Sequence, residues 1–362
     1  MRAFHLDGDS FDELQALPAA LPSVGFVWIS CARGEFEALL PEVQTALARW
    51  NAGPVVDPHV RDLLNEQHPS HFDTTSWYDL LIFRRLAAAQ GLGEGRDGKD
   101  GKEFANLERA IDTNPVGFAI FDHVLLTVHP SDCMVRDFFA DRLEKLSEGR
   151  ESRGSARLPS SPAELMLRMV NYMVDSYLDL RRLLSRQFGS LQNLLLDPRS
   201  HFDNWPLLLS SRDALHRLED TCEDQRSAVQ EWIDALDEWP DSDDAHVRRE
   251  RELLRVRSRD VLEHVERVLS HVRRLENSAE STVQMHFSAL GHRTNSIMRT
   301  LTVLTAIFLP LNLITGIFGM NFDTLPLIHR QTGFWIAVAL MAGVGLGLSA
   351  FFWRKRYLSS QK

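Results

Sequence analysis

Over roughly the first 145 residues the apolar positions come in short runs separated by polar punctuation. Residues 26–29, Phe-Val-Trp-Ile, read as a strand, and a helical pattern follows over 35–50. A second strand-like run covers 77–83. Runs at 116–121 and 124–128 flank Asp122-His123, which reads as a two-residue hairpin turn. Glycine and charge crowd residues 91–102, predicting an exposed loop. A stretch rich in Ser, Gly, Arg and Pro at 147–162 marks a boundary. This first region therefore reads as mixed α/β.

From Pro162 onward the period becomes helical. Leu165, Met169, Met173, Tyr177 and Leu180 recur at helical spacing. Residues 219–244 hold eleven acidic residues against one arginine, and six arginines follow between Arg248 and Arg259. Trp239-Pro240-Asp241-Ser242 supplies a turn between the two blocks. The pattern predicts an antiparallel pair, an acidic arm folded back on a basic one; two solvated faces of opposite sign are the alternative. Next comes a long stripe, Leu254, Val261, Val265, Val268, Val272, Leu275, Ala279, Val283, Phe287 and Leu290. No Gly or Pro interrupts residues 241–290, which predicts one helix of unusual length. Packing on copies of itself is the expected way to bury its stripe.

Two segments without any ionisable side chain close the pattern, residues 300–322 and 333–353. At about 1.5 Å per residue each reaches roughly 30 Å, the thickness of a bilayer core. Arg293 and Arg299 precede the first, and Arg354, Lys355 and Arg356 follow the second. The positive-inside rule then places both ends in the cytoplasm, with only the stretch between the spans outside. Residues 1–10 are polar and acidic with no apolar h-region, so no secretory signal is expected.

Charge and chemistry narrow the function. A formal net charge of −10 argues against a nucleic-acid partner and suits a protein that handles cations. The three cysteines, Cys31, Cys133 and Cys222, show neither metal-ligand spacing nor a disulfide pattern. No Walker loop, dinucleotide fingerprint, paired-histidine zinc motif or nucleophile constellation is present, so neither an enzyme nor a cofactor is expected. In the first span, Asn295, Met298, Leu301, Thr305, Leu309, Asn312, Gly316 and Gly319 fall on one helical face. An amide in hydrocarbon must face a partner or water. Two readings stand: a polar ion path, or close packing between helices.

The segment 288–322, ending Leu309-Pro310-Leu311-Asn312-Leu313-Ile314-Thr315-Gly316-Ile317-Phe318-Gly319-Met320-Asn321-Phe322, resembles the signature of CorA-type divalent-cation transporters. The zinc transporter ZntB is of the same superfamily. The resemblance implies a CorA-like fold: an α/β cytoplasmic domain plus a long helical stalk and a two-helix transmembrane hairpin. The parts are then residues 1–161 (α/β domain), 162–298 (arm and stalk), 299–322 (first span), 323–332 (external loop), 333–353 (second span) and 354–362 (basic tail). It further implies a homopentamer in the lipid of the inner membrane, passing Mg²⁺ and also Co²⁺ or Ni²⁺, with the first span lining the pore. Asn321 would form the outer ring that meets the hydrated ion, which suits a cation reluctant to shed water. Asn312 and Thr305 would add polar rings, and Met298, Leu301 and Leu309 apolar constrictions. Asn295 would mark the cytoplasmic end, and Gly319 and Met320 would shape the turn out of the helix. Asp260 matches an acidic stalk residue that binds regulatory Mg²⁺ between subunits; the alternative is a surface aspartate paired with Arg257 or Arg259.

The outer loop departs from the pattern. Leu327 stands where the family carries an acid after Pro326, leaving Asp323 as the acidic residue of residues 323–330. His329 is a candidate soft ligand. A ZntB-like zinc importer, coupled to protons, therefore stands beside the Mg²⁺ reading. A membrane scaffold or sensor that does not conduct is the third.

Overall fold

A computed structural model describes residues 1–88, 111–131, 133–148, 157–196, 205–239, 243–320 and 331–355. The chain divides into two compact units, Met1–Glu280 and Ser281–Lys362.

The first unit is built on a sheet of seven strands: β1 (Arg2–Leu6), β2 (Phe11–Leu14), β3 (Phe26–Ala32), β4 (His71–Thr74), β5 (Asp79–Arg84), β8 (Pro115–Ile120) and β9 (Val124–His129). Their order is β2-β1-β3-β9-β8-β5-β4. Only the β3–β9 pair is parallel within this sheet. Two short strands, β6 (Ala87–Ala88) and β7 (Ile111–Asp112), pair separately. The Asp122-His123 turn is present: Phe121 N–H donates to the Val124 carbonyl at 2.9 Å, and Ile120 pairs with Leu125. The run expected at 77–83 begins later, at Asp79. Trp77 and Tyr78 belong to the turn from β4, where Thr75 bonds the Tyr78 carbonyl.

Both sheet faces are covered, so the central strands are apolar throughout rather than alternating. Val27, Ile29, Leu80, Ile82, Leu126 and Val128 face α1 (Arg33–Arg49) and α2 (Asp57–Leu64). Phe4, Trp28, Leu81, Phe83, Phe118 and Leu125 face the other way, toward α3 (Met134–Ser147) and α4 (Pro162–Asp175). β1 was not anticipated from the polar first ten residues. Its Phe4 and Leu6 are fully buried, and Phe4 stacks on Trp28 at 4.6 Å.

The boundary expected at 161/162 is a capped helix start rather than a gap between units. Ser161 caps α4 by accepting from Glu164 N–H, Pro162 opens the helix, and the Glu164 carboxylate takes Ser160 N–H at 2.8 Å. α4 then packs on β8, β9 and β3, so one apolar core runs from the sheet into the helices. The exposed loop expected at 91–102 lies outside the described residues.

Three more helices follow: α5 (Tyr177–Leu196), α6 (Trp205–Glu238) and α7 (Ala245–Phe318, 74 residues). α6 and α7 run antiparallel. Arg255 pairs with Asp237 at 2.6 Å, the Trp232 indole donates to Ser258 Oγ at 2.9 Å, and Arg273 pairs with Glu219 at 2.7 Å. Numbers rise on one helix as they fall on the other. The sequence led to the expectation that the stripe of α7 packs on copies of itself, but much of it is buried within the chain. Leu254, Val261, Val265 and Val272 are buried in the same core as Leu165, Met169, Leu215 and Trp232. The correction has a simple cause: α4 and α6 present apolar faces that meet it within the chain. Farther along, Phe287 and Leu290 are exposed.

The second unit holds the end of α7 and α8 (Gln331–Arg354). Each contains a window of mean hydropathy 2.0 of which only 6% is buried. Helices this apolar and this bare satisfy their backbone internally and expose side chains suited to lipid.

Candidate functional site

Taking about 100° per residue, Met298, Leu301, Thr305, Leu309, Asn312, Gly316 and Gly319 all lie within roughly 40° of Thr305 around α7. Asn295 falls roughly 80° from Thr305, outside this arc. Every one of these residues is exposed, Met298, Leu301 and Leu309 by more than half. The opposite face behaves differently. Val303 is 2% exposed, and Ile307, Pro310, Leu311 and Ile314 are partly covered. Leu311 reaches Gly345 of α8, where an added Cβ would stand 3.9 Å from its methyl groups. The second apolar helix thus covers the side of α7 away from the stripe and leaves the stripe bare.

The polar groups of the stripe are disposed in two ways. Thr305 Oγ donates to the Leu301 carbonyl at 2.9 Å, which leaves its lone pairs outward. The Asn312 amide makes no hydrogen bond among the described residues, and an unpartnered amide at membrane depth calls for water, an ion or another chain. Its backbone carbonyl accepts from Thr315 Oγ at 3.0 Å. α7 ends at Phe318. Gly319 N–H closes on the Thr315 carbonyl at 2.9 Å and Met320 N–H on Ile317 at 3.3 Å. A Cβ on Gly319 would lie only 3.0 Å from the Thr315 carbonyl, a close approach that favours glycine. Asn321, Asp323 and His329 lie outside the described residues.

Aromatic residues mark both ends of α8, a signal the sequence reading passed over. Phe334 and Trp335 stand near its start, Phe351 and Trp353 near its end, all exposed. Trp335 and Trp353 are roughly 27 Å apart along the helix, the spacing of two interfacial belts. Arg354 and Lys355 follow immediately.

Asp260 sits on the exposed side of α7 in the first unit. Its carboxylate is 3.8 Å from His264 Nε2, and His264 Nδ1 is 3.4 Å from Asp175. Arg257, one partner considered for it, bonds Glu164 instead. Among the described residues, those grouped tightly enough to hold a metal are others: His216, Glu219 and Glu276, whose ligand atoms lie within 4.8 Å of one another. Glu276 hydrogen-bonds Glu219, which raises its pKa, while Arg273 holds Glu219 down. His216 and Glu219 share a helix face, but Glu276 arrives from a distant part of the chain, so spacing alone does not reveal the group.

Residues 54–356, most of the chain, match the family described as CorA-like Mg2+ transporter protein. The chain belongs to that family. Among curated relatives, the cobalt/magnesium transport protein CorA of Thermotoga maritima is 29% identical over 100 residues, 28% of each chain. The putative metal ion transporter YfjQ of Bacillus subtilis is 31% identical over 114 residues, 32% of this chain and 35% of that one. The chain thus spans about a third or less of the length of these curated relatives. The solved CorA magnesium transporter of Methanocaldococcus jannaschii shares the fold along 99% of both chains, with a TM-score of 0.68 at 20% identity. The full-length CmaX protein covers 98% of this chain and 97% of its own, with a TM-score of 0.59 at 20% identity. The CorA-like fold class expected from the sequence is therefore the fold observed.

Proposed function

We propose that the chain transports divalent cations across the inner membrane, Mg²⁺ foremost and Co²⁺ or Ni²⁺ as well. One observation carries the reading: a face of α7 that is polar at Thr305 and Asn312, apolar at Met298, Leu301 and Leu309, and left bare by α8. Family membership supplies the class of cargo. A single such stripe cannot enclose a path, so it needs copies of itself, and a homopentamer is the assembly proposed. In it, Thr305 and Asn312 become rings of neutral oxygens that accept hydrogen bonds from the waters of a hydrated ion. Met298, Leu301 and Leu309 become apolar constrictions that close by excluding water. Asn295 opens to the cytoplasm, Gly319 and Met320 end the helix, and Asn321 rings the outer mouth. Arg293, Arg299, Arg354 and Lys355 support cytoplasmic termini, with Mg²⁺ drawn inward by the membrane potential. Asp260 is proposed as one ligand of a regulatory Mg²⁺ shared between subunits.

The loop sequence favours a second reading. With Leu327 in place of an acid and His329 nearby, the entrance concentrates cations less and offers a softer ligand, which fits zinc import of the ZntB kind. Uptake into proteoliposomes loaded with Mg²⁺- or Zn²⁺-sensitive dye separates the two. Mg²⁺ entry supports the first reading, zinc entry alone the second, and no flux from an assembled oligomer a scaffold.

A further inference from the structure

In the first unit, where the β4–β5 and β8–β9 turns come together, lies a cavity of about 810 Å³, a size that takes small organic ligands. Trp50, Trp77 and Trp239 line it, with Asp79 and Asp122 among them. Trp77 is 56% exposed, and one side of its ring is backed by the chain. Its indole lies against Gly53, where an added Cβ would come within 2.6 Å of the ring. Gly53 has φ +80°, and Asn51 just before it has φ 54°. The turn is folded in left-handed geometry so that the ring can rest on bare backbone. An exposed indole braced in this way presents a large apolar face at low entropic cost.

Among the described residues, the two carboxylates beside it form no ion pair. Asp79 Oδ1 accepts from the Thr74 hydroxyl at 2.7 Å. Burial pushes the Asp79 carboxyl up, and the Asp122 charge pushes it the same way. Two arginines also line the cavity. Their guanidinium groups are held by backbone carbonyls and keep their charge, so the carboxylates of the lining outnumber its guanidiniums by one once Glu250 is included. Arg248 donates to the Asp243 carbonyl at 2.8 Å, and Arg251 to the Leu236 and Asp237 carbonyls at 3.0 Å. Glu250 adds a third carboxylate to the lining, and His123 stands in the same turn as Asp122.

We infer that this cavity binds an organic ammonium ion, a linear diamine or polyamine, with one ammonium between Asp79 and Asp122 and the alkyl chain along Trp77. A divalent metal demands a full shell of oxygen ligands, which indole walls do not give. An ammonium group gains from both features present, charge-assisted hydrogen bonds to carboxylates and the face of an aromatic ring. The inference is independent of the transport reading.

The test is calorimetric titration of the full chain in detergent with 1,4-diaminobutane, with MgCl₂ titrated separately. Saturable diamine binding is expected, weakened roughly tenfold or more by Trp77→Ala and by Asp122→Asn, and less by Trp77→Phe, which keeps an aromatic face. Asp122 is in an exposed turn, so Asp122→Asn leaves the core untouched, and circular dichroism confirms that each variant is folded. Three results would overturn the inference: no saturable binding by the unaltered chain up to about 10 mM, diamine binding indifferent to both substitutions, or Mg²⁺ binding that depends on Asp122 but not on Trp77.

Discussion

His129 ends β9 with its ring 1% exposed, and its two nitrogens have different partners. The Pro130 carbonyl, 2.8 Å from Nδ1, can only accept, so Nδ1 carries the hydrogen. Nε2, 2.7 Å from Ser30 Oγ, then accepts from the hydroxyl, and the ring is neutral. Burial is the main cause that brings its pKa down from 6.5 to about 4; Arg136 and Arg33 push the same way, against the Pro130 carbonyl and Asp137. Between those values the unfolded chain binds a proton that the folded chain refuses. Stability is therefore full above pH 6.5 and falls as pH drops toward about 4. The gap amounts to about 3 kcal/mol. Urea unfolding of the full chain in detergent, followed by tryptophan fluorescence across that range, measures it. His129→Asn should start less stable, because a shaped buried side chain is lost, but should lose about 3 kcal/mol less than the unaltered chain over the same pH interval. Parallel pH profiles for the two proteins would refute the assignment of a neutral, buried imidazole.

Four further outcomes concern α7. Leu254→Ala, in the buried stripe, should cost about 2–5 kcal/mol in the same unfolding assay. Leu309→Ala, at an exposed position, should leave unfolding within about 0.5 kcal/mol while changing ion flux. Asn312→Leu removes the amide ring and should reduce Mg²⁺ flux at least roughly tenfold without loss of assembly by sedimentation; undiminished flux would return Asn312 to a packing role. Asp260→Asn should weaken inhibition of uptake by Mg²⁺ on the cytoplasmic side, and an unchanged inhibition curve would remove Asp260 from regulation.

What could be read from the pattern depended on whether the signal was local. The β8–β9 hairpin was legible because two apolar runs flank a two-residue turn. β1 was not, since Ala3, Phe4 and Leu6 acquire meaning only in the sheet, where β1 pairs with β2 and β3. The stripe of α7 was legible as a buried face, but period says that a face is buried, not against what. Its partners close over it, α6 through Trp232–Ser258 and Arg255–Asp237 and α4 through Glu164–Arg257, contacts no spacing rule encodes. In the membrane segment the stripe through Thr305 and Asn312 was visible for the same periodic reason. Which side α8 would cover was not, because Val303 and Leu301 are equally apolar, and only the fold buries the first and bares the second.

The most direct test of the central claim is dye-reported Mg²⁺ uptake into proteoliposomes, comparing the unaltered chain with Asn321→Ala at an imposed inside-negative potential. Mg²⁺ entry that the potential accelerates and Asn321→Ala abolishes is the predicted result. Zinc entry without Mg²⁺ entry, or no flux from a correctly assembled oligomer, would contradict it.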